Sequence, residues 1–157
     1  MKIKIIAVGK IKEDYIQTGI RQYMKRLSPY CAVEILEVAE EKLRDVPGKG
    51  DVERTKEKEG ERILAKLQRD DYVAALAIDG EQLTTVQLAR RLERVSKENR
   101  SVVFLIGGSC GLSEKVLRNA HIRISFSKFT FPHQLMRLIL LSQIYQALRH
   151  RDPETGR

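Results

Sequence analysis

Two short, almost wholly apolar segments constrain the fold of this chain most. They span residues 71–78 and 101–106. Uninterrupted apolar runs of this length are typical of strands buried on both faces, which occur in parallel sheets. Three further strands are predicted at residues 2–8, 32–38 and 122–126, with helical patterns between them. The alternation predicts an α/β fold over residues 1–157 as a single domain, with a mostly parallel sheet and helices on both faces.

Local signals predict where several elements begin and end. Thr84 or Thr85 is expected to cap one helix, and Ser113 a short later one. Pro132 suits the first turn of a final helix that runs to about Arg149. Asp79 and Gly80 are expected to turn the chain. The charged KEKEGER stretch within residues 40–62 is interpreted as the solvated face of a helix.

Cysteine usage and hydropathy narrow the functional class. Cys31 and Cys110 are too few for a disulfide framework and lack zinc-ligand spacing, so free thiols and no metal are expected. The chain has no apolar run near 18 residues and no signal-peptide pattern at its start. We therefore expect a soluble, cytoplasmic protein without a membrane partner.

The positive charge is concentrated at both ends of the chain. Residues 1–30 carry +5, residues 31–114 carry −3 and residues 115–157 carry +6. If the two ends meet in the fold, they form one surface that attracts phosphate backbones. The alternative is that the lysine and arginine residues only keep the protein soluble. The candidate residues for contact with nucleic-acid phosphates are Arg21, Lys25 and Arg26 on one helix face, and Arg149, His150 and Arg151 near the terminus.

Ligands of open α/β sheets bind beyond the carboxyl ends of the strands. Three segments are predicted there, at residues 76–80, 106–111 and 126–131. The glycine loop IGGSCG fits neither a dinucleotide fingerprint nor a P-loop. It is interpreted as a loop that clasps a small ligand through its backbone, or as a tight turn. The segment SFSKFTFPH could form an apolar slot or belong to the core.

His133 and Arg137 are candidate catalytic residues, because positions i and i+4 share a helix face and their side chains can converge on one anion or base. They could equally be ordinary surface residues. No nucleophile elbow accompanies Ser109, which disfavours hydrolysis by a serine or cysteine triad.

Several motifs together resemble the RlmH family, also called YbeA, over nearly the whole chain. The two most specific are FLIGGSCGL and ISFSKFTFPHQLMRLILLSQIYQA, and upstream pieces include IKIIAVGKIKEDY, YMKRLSPY and KEKEGERIL. The resemblance implies a SPOUT-type fold with a C-terminal trefoil knot, a homodimer and S-adenosylmethionine as cofactor. It further implies methylation of N3 of a pseudouridine in the helix-69 loop of 23S ribosomal RNA on the assembled ribosome.

The resemblance also assigns the cofactor-binding residues. These are Leu76, Gly107, Phe126, Ser127, Lys128, Phe129, Thr130 and Phe131. His133, or the basic tail, is the candidate for removing the imide proton of the target base, with Arg137 as an electrostatic partner.

The tail departs from the family pattern, since residues 149–157 lack the usual Tyr-His ending. Three alternatives stay open, of which only the first rests on this departure. The first is a ribosome-binding homologue with impaired turnover. The second is another SPOUT enzyme, such as a 2′-O-methyltransferase acting on transfer RNA. The third is a basic nucleotide-binding protein without an RNA role.

Overall fold

Five parallel strands form the centre of the protein. In the computed structural model, which describes residues 1–150, they pair in the order β2-β1-β4-β3-β5. Every neighbouring pair is parallel, which confirms the predicted parallel sheet. The strands are β1 (Lys2–Val8), β2 (Ala32–Val38), β3 (Tyr72–Glu81), β4 (Val102–Ile106) and β5 (Ile122–Ile124).

Helices cover both faces of the sheet, as the alternation predicts. One face packs around Ile5 and Phe104 against α1 (Asp14–Leu27), α3 (Thr85–Lys97) and α5 (His133–His150). The other face packs around Ile6 and Leu105 against α2 (Asp51–Leu64) and α4 (Glu114–Arg118). β4 is buried along its whole length because both faces are covered. No helix within residues 1–150 combines the length and apolarity needed to cross a membrane.

The predicted caps are present. The Thr84 side chain accepts a hydrogen bond from the Gln87 amide at 3.1 Å, and Gln87 returns one to the Thr84 amide at 2.8 Å. Ser113 Oγ accepts from the Val116 amide at 3.2 Å at the start of α4. Pro132 directly precedes α5, and its carbonyl accepts from the Met136 amide at 3.2 Å. These contacts confirm the positions at which three helices begin.

The ends of β3 and β5 differ from the prediction. Asp79 and Gly80 lie inside β3 and do not turn the chain, because β3 continues past an irregularity until Glu81 pairs with Ile124. A Cβ atom on Gly80 would lie 2.7 Å from the backbone of Arg123, so a glycine permits this approach. β5 ends at Ile124, two residues earlier than predicted, since the following residues leave the sheet to line a cavity.

The charged helix α2 is only partly solvated, which corrects the interpretation of the KEKEGER stretch. Glu59 and Gly60 are buried, whereas Glu57 and Glu61 are exposed. A Cβ atom on Gly60 would lie 2.6 Å from Ser113 Oγ, so the glycine lets α2 approach the start of α4. This helix therefore contributes a buried carboxylate that hydropathy does not reveal.

The C-terminal trefoil knot that the resemblance implies stays a prediction.

Candidate functional site

The cavity that joins the three predicted segments lies at the carboxyl ends of β3, β4 and β5. Its volume of about 160 Å³ is roughly tenfold that needed to hold one water, so it is more than a packing defect. Its walls are mostly apolar, with backbone amides and carbonyls among them. The lining residues are Leu76, Ala77, Ile78, Ile106, Gly107, Gly108, Gly111, Ile124, Ser125, Phe126, Ser127, Phe129, Thr130, Phe131, His133 and Met136.

The glycine loop folds back on itself at one wall of the cavity. The Gly111 amide donates to the Gly108 carbonyl at 3.0 Å, and Gly111 has a φ of 85°, where a side chain is disfavoured. A Cβ atom on Gly107 would lie 2.7 Å from the Gly111 carbonyl carbon. Both glycines are therefore needed for this turn, and the loop presents backbone to the cavity.

A second wall is made by the segment after β5, which is held by its own serines. Ser125 Oγ donates to the Ser127 carbonyl at 2.9 Å, and the Phe129 amide donates to Ser127 Oγ at 3.0 Å. Phe126 is half-buried against the core, whereas Phe129 is 80 % exposed. An exposed aromatic ring at a cavity mouth is available for contact with a ligand.

Most of the predicted cofactor-binding residues meet at this cavity. Lys128 is the exception, because its side chain is exposed and does not line the walls. Ile124 and Met136 also line the cavity and were not predicted. Met136 could have been found from its spacing, since it lies three residues after His133 on one helix face. The predicted residues that line it are Leu76, Gly107, Phe126, Ser127, Phe129, Thr130 and Phe131.

Only one of the two candidate catalytic residues lies at the cavity. His133 lines the cavity, whereas Arg137 is 3 % exposed and lies outside its walls. The Arg137 guanidinium donates to Glu37 Oε2 at 2.5 Å and to the Gly9 carbonyl at 3.0 Å. Convergence of His133 and Arg137 on one anion, expected from their spacing, is therefore absent here, because Glu37 and Gly9 hold the guanidinium. The electrostatic role of Arg137 in catalysis stays a prediction.

The two basic ends of the chain meet, which is the condition under which they form one positive surface. Helices α1 and α5 pack so closely that a Cβ atom on Gly19 would lie 2.9 Å from the Leu138 side chain. Arg26 stacks over the Tyr23 ring at 5.2 Å, and Arg149 over the Tyr145 ring at 5.4 Å. The two tyrosine rings meet edge to face at 5.9 Å.

Apart from Asp14 in the first turn of α1, neither α1 nor α5 carries an acidic residue. Residues 15–33 and 115–151 contain no Asp or Glu. Arg21, Lys25, Arg26, Arg149 and His150 are exposed. Arg151 lies outside the described residues. We refer to the exposed residues Arg21, Lys25, Arg26, Arg149 and His150 as the basic face.

His121 lies away from the cavity. Its Nδ1 accepts from the Val73 amide at 2.9 Å, and its ring stacks on Tyr72 at 5.0 Å. These contacts give His121 a structural role beside β3. Within residues 1–150, no group of three or more His, Cys, Asp or Glu side chains is arranged to hold a metal ion.

Comparison with known proteins identifies the family. Residues 1–152 match the family described as "Predicted SPOUT methyltransferase". A protein of Clostridioides difficile named "Ribosomal RNA large subunit methyltransferase H" is 49% identical over 98% of each chain. Proteins of the same name from an Exiguobacterium species and from Listeria monocytogenes are 51% and 49% identical, each over 95% of this chain and 94% of the relative. The chain therefore belongs to the RlmH family of SPOUT methyltransferases.

Proposed function

We propose that this protein methylates N3 of a pseudouridine in the helix-69 loop of 23S ribosomal RNA, on the assembled ribosome, with S-adenosylmethionine as methyl donor. The observation that carries the proposal is the cavity, where seven of the eight predicted cofactor residues come together beside His133. The names of the relatives, which specify a methyltransferase of large-subunit ribosomal RNA, support the class of substrate.

The residues at the cavity fit the proposed cofactor. Apolar and aromatic walls at Leu76, Phe126 and Phe131 suit the faces of an adenine ring, and the glycine loop offers backbone groups at close range. Such a cofactor supplies an electrophilic methyl carbon on a sulfonium. The protein has to align that carbon with the attacking nitrogen and exclude competing nucleophiles, which favours a mostly apolar cavity.

His133 is the side chain proposed to handle the proton. N3 of a pseudouridine bears an imide hydrogen that must leave before or during attack, so a base within hydrogen-bond reach promotes the reaction. Within residues 1–150, His133 is the one histidine on the cavity wall, and it lies in the first turn of α5. Arg137, one turn further along α5, pairs with Glu37 and so fastens this end of the helix to the sheet, which limits the positions that the imidazole can take.

The basic face is proposed to contact ribosomal RNA. Beyond the first turn of α1, neither helix carries an acidic residue, so release of counterions from RNA would contribute to binding. We also propose that the protein acts as a homodimer in the cytoplasm and carries the trefoil knot of its family. Partly exposed apolar residues on α5, including Leu135 and Ile139, support association with a second copy.

The proposal is tested by incubating the chain with labelled S-adenosylmethionine and ribosomes that lack the helix-69 methyl group. Digestion of the RNA and mass analysis of its nucleosides should find the label in 3-methylpseudouridine. Label in a 2′-O-methyl nucleoside, or in transfer RNA added as a competitor, would identify a different SPOUT reaction.

A second candidate rests on the atypical tail. Residues 149–157 lack the Tyr-His ending of the family, so the protein could bind ribosomes and cofactor without turnover. Calorimetric binding of S-adenosylmethionine together with unlabelled RNA would favour this impaired homologue. Replacing residues 149–157 with a family-type ending should then restore methyl transfer.

A further inference from the structure

Glu59 is a buried carboxylate on an otherwise charged and solvated helix. It is 3 % exposed, although it lies in a stretch of α2 whose neighbours Glu57 and Glu61 face solvent. Burying an ionisable group is costly unless its oxygens are bonded. Its position therefore calls for a physical reason beyond the helical pattern.

Only one of the two Glu59 oxygens is satisfied. Oε2 accepts a hydrogen bond from the Glu41 amide at 2.9 Å, in the segment that follows β2. Oε1 is buried and has no hydrogen-bond partner within residues 1–150. Unsatisfied buried oxygens are rare in native structures and often mark positions under functional constraint.

The unsatisfied oxygen lies directly behind the glycine loop. A Cβ atom on Gly108 would stand 3.1 Å from Glu59 Oε1 and 3.3 Å from Oε2. Gly108 also lines the cofactor cavity, so its backbone has the carboxyl group on one side and the cavity on the other. Any shift of Gly108 away from the cavity is blocked by this side chain.

The same helix supports the loop at a second point. Gly60, the next residue, lets α2 approach Ser113, which begins the helix after the loop. The segment before α2 is fastened as well, because Arg62 donates to the Ala39 carbonyl at 2.9 Å and pairs with Glu41 at 2.7 Å. The segment before α2 thus fixes the position of Glu59, and the Glu59 carboxyl group packs against the glycine loop on the side opposite the cavity.

We propose that Glu59 is a positioning residue that holds the glycine loop at Gly108 in the conformation required for cofactor binding. The effect on the cofactor rests on the proposed function, whereas the effect on the loop does not. Glu59 acts through the Gly108 backbone and does not itself line the cavity.

Electrostatics around the carboxyl group agree with this placement. Burial is the main cause that raises the pKa of Glu59, and the charges of Glu40 and Glu41 raise it further. The Glu41 amide and the Arg62 guanidinium oppose that rise. Protonated Glu59 fills the space behind the loop without charge, whereas ionised Glu59 places an incompletely paired charge against it.

Three variants separate shape, charge and helix effects. Glu59→Ala removes the support, Glu59→Gln keeps its shape without the charge, and Glu57→Ala is a matched control on an exposed position of the same helix. The first readout needs no cofactor. Cys110 lies in the glycine loop and is partly exposed, whereas Cys31 is buried, so the rate of thiol modification at Cys110 reports the exposure of the loop.

We expect Glu59→Ala to raise the modification rate of Cys110 by about threefold or more, because the loop opens locally. It should raise the Kd for S-adenosylmethionine about tenfold, with kcat at saturating cofactor changed by less than about twofold. Glu57→Ala should leave both the rate and the Kd close to those of the wild type. Glu59→Gln should do so at pH values below the pKa of Glu59, where the wild-type side chain is also uncharged.

The pH dependence distinguishes positioning from a general loss of stability. The ratio of the wild-type Kd to the Glu59→Gln Kd should rise with pH as Glu59 ionises, whereas a purely structural role leaves it constant. An unchanged Cys110 rate in folded Glu59→Ala overturns the inference. If the wild type does not bind S-adenosylmethionine but Glu59→Ala still raises the modification rate of Cys110, the proposed cofactor is overturned. The proposal that Glu59 positions the loop is then retained.

Discussion

Arg137 and Glu37 form an ion pair across 100 residues of sequence, with Nη1 and Oε2 separated by 2.5 Å. The second guanidinium nitrogen donates to the Gly9 carbonyl at 3.0 Å. These contacts fasten the start of α5 to the ends of β1 and β2, beside the cavity that His133 lines. The two side chains differ in burial, since that of Arg137 is 4% exposed and that of Glu37 is 40% exposed.

Removing the carboxylate should therefore destabilise the fold, because it leaves a buried guanidinium without its charged partner. We expect Glu37→Leu to lower the free energy of unfolding by about 2 kcal/mol. Urea titration measures this loss. Glu34→Leu, on an exposed position of the same strand, is the control and should cost less than about 0.5 kcal/mol. Equal losses in the two variants would show that the ion pair contributes nothing.

The order of strands and helices could be predicted from the sequence because the apolar runs and helical spacings are local signals. Thr84 and Ser113 illustrate this, since a capping side chain bonds within three residues of itself. The end of β3 was not accessible, because its extension to Glu81 depends on pairing with Ile124. A pairing partner more than 40 residues away does not affect the hydropathy pattern around the end of the strand.

The candidate site was partly accessible for a related reason. Ligand segments follow strand ends in parallel sheets, so the glycine loop and the segment after β5 could be placed at one edge. The partner of Arg137 could not be foreseen, because i, i+4 spacing describes only its own helix. Glu59 was missed because a run of charged residues suggests solvent on all sides, whereas the glycine loop covers one position of the run.

His133→Ala should abolish methyl transfer and spare the binding of cofactor. Loss of a positioned general base reduces turnover by about 10²- to 10⁴-fold, whereas the proposed cofactor site is formed mainly by the glycine loop and the aromatic wall. Single-turnover assays and calorimetry measure the two quantities. Gln146→Ala, on an exposed position of the same helix, should retain turnover. Unchanged turnover in His133→Ala would eliminate this residue as the base.

The basic face should contribute to ribosome binding in a salt-dependent way. In the double variant Lys25→Gln and Arg26→Gln, we expect weaker binding and a shallower dependence of log Kd on log salt. The slope should decrease by about 0.7–0.9 for each lost phosphate contact. The matched control removes two exposed charges from α3, in Arg90→Gln and Arg94→Gln. If the slope of log Kd against log salt is the same in the two double variants, the RNA does not contact the basic face.

The capping box at α3 gives a prediction that concerns stability alone. Thr84→Ala leaves the Gln87 amide without its side-chain acceptor and should cost about 1 kcal/mol of unfolding free energy in urea titration. Thr85→Ala, one position into the helix, should change stability by less than about half that amount. A larger loss in Thr85→Ala would mean that the helix begins one residue later in solution.

The stability of the protein should depend on pH through Glu59. Its folded-state pKa is raised above the ordinary value of 4.5, chiefly by burial, so the folded state binds this proton more tightly than the unfolded chain does. The stabilisation linked to that proton is fully present below about pH 4.5 and is lost as pH rises through the folded-state pKa. Glu59→Gln keeps the acceptor for the Glu41 amide and cannot ionise, so it avoids this loss.

The difference in melting temperature between Glu59→Gln and the wild type should therefore grow from about pH 4 to about pH 8, in favour of the variant. Glu57→Gln, exposed on the same helix, should show no such trend relative to the wild type. A constant difference at all pH values would mean that Glu59 has the same pKa in the folded and unfolded chains. A difference that grows with pH would show that the ionised Glu59 carboxylate behind Gly108 lowers the stability of the fold, as expected for a group retained for its role at the site.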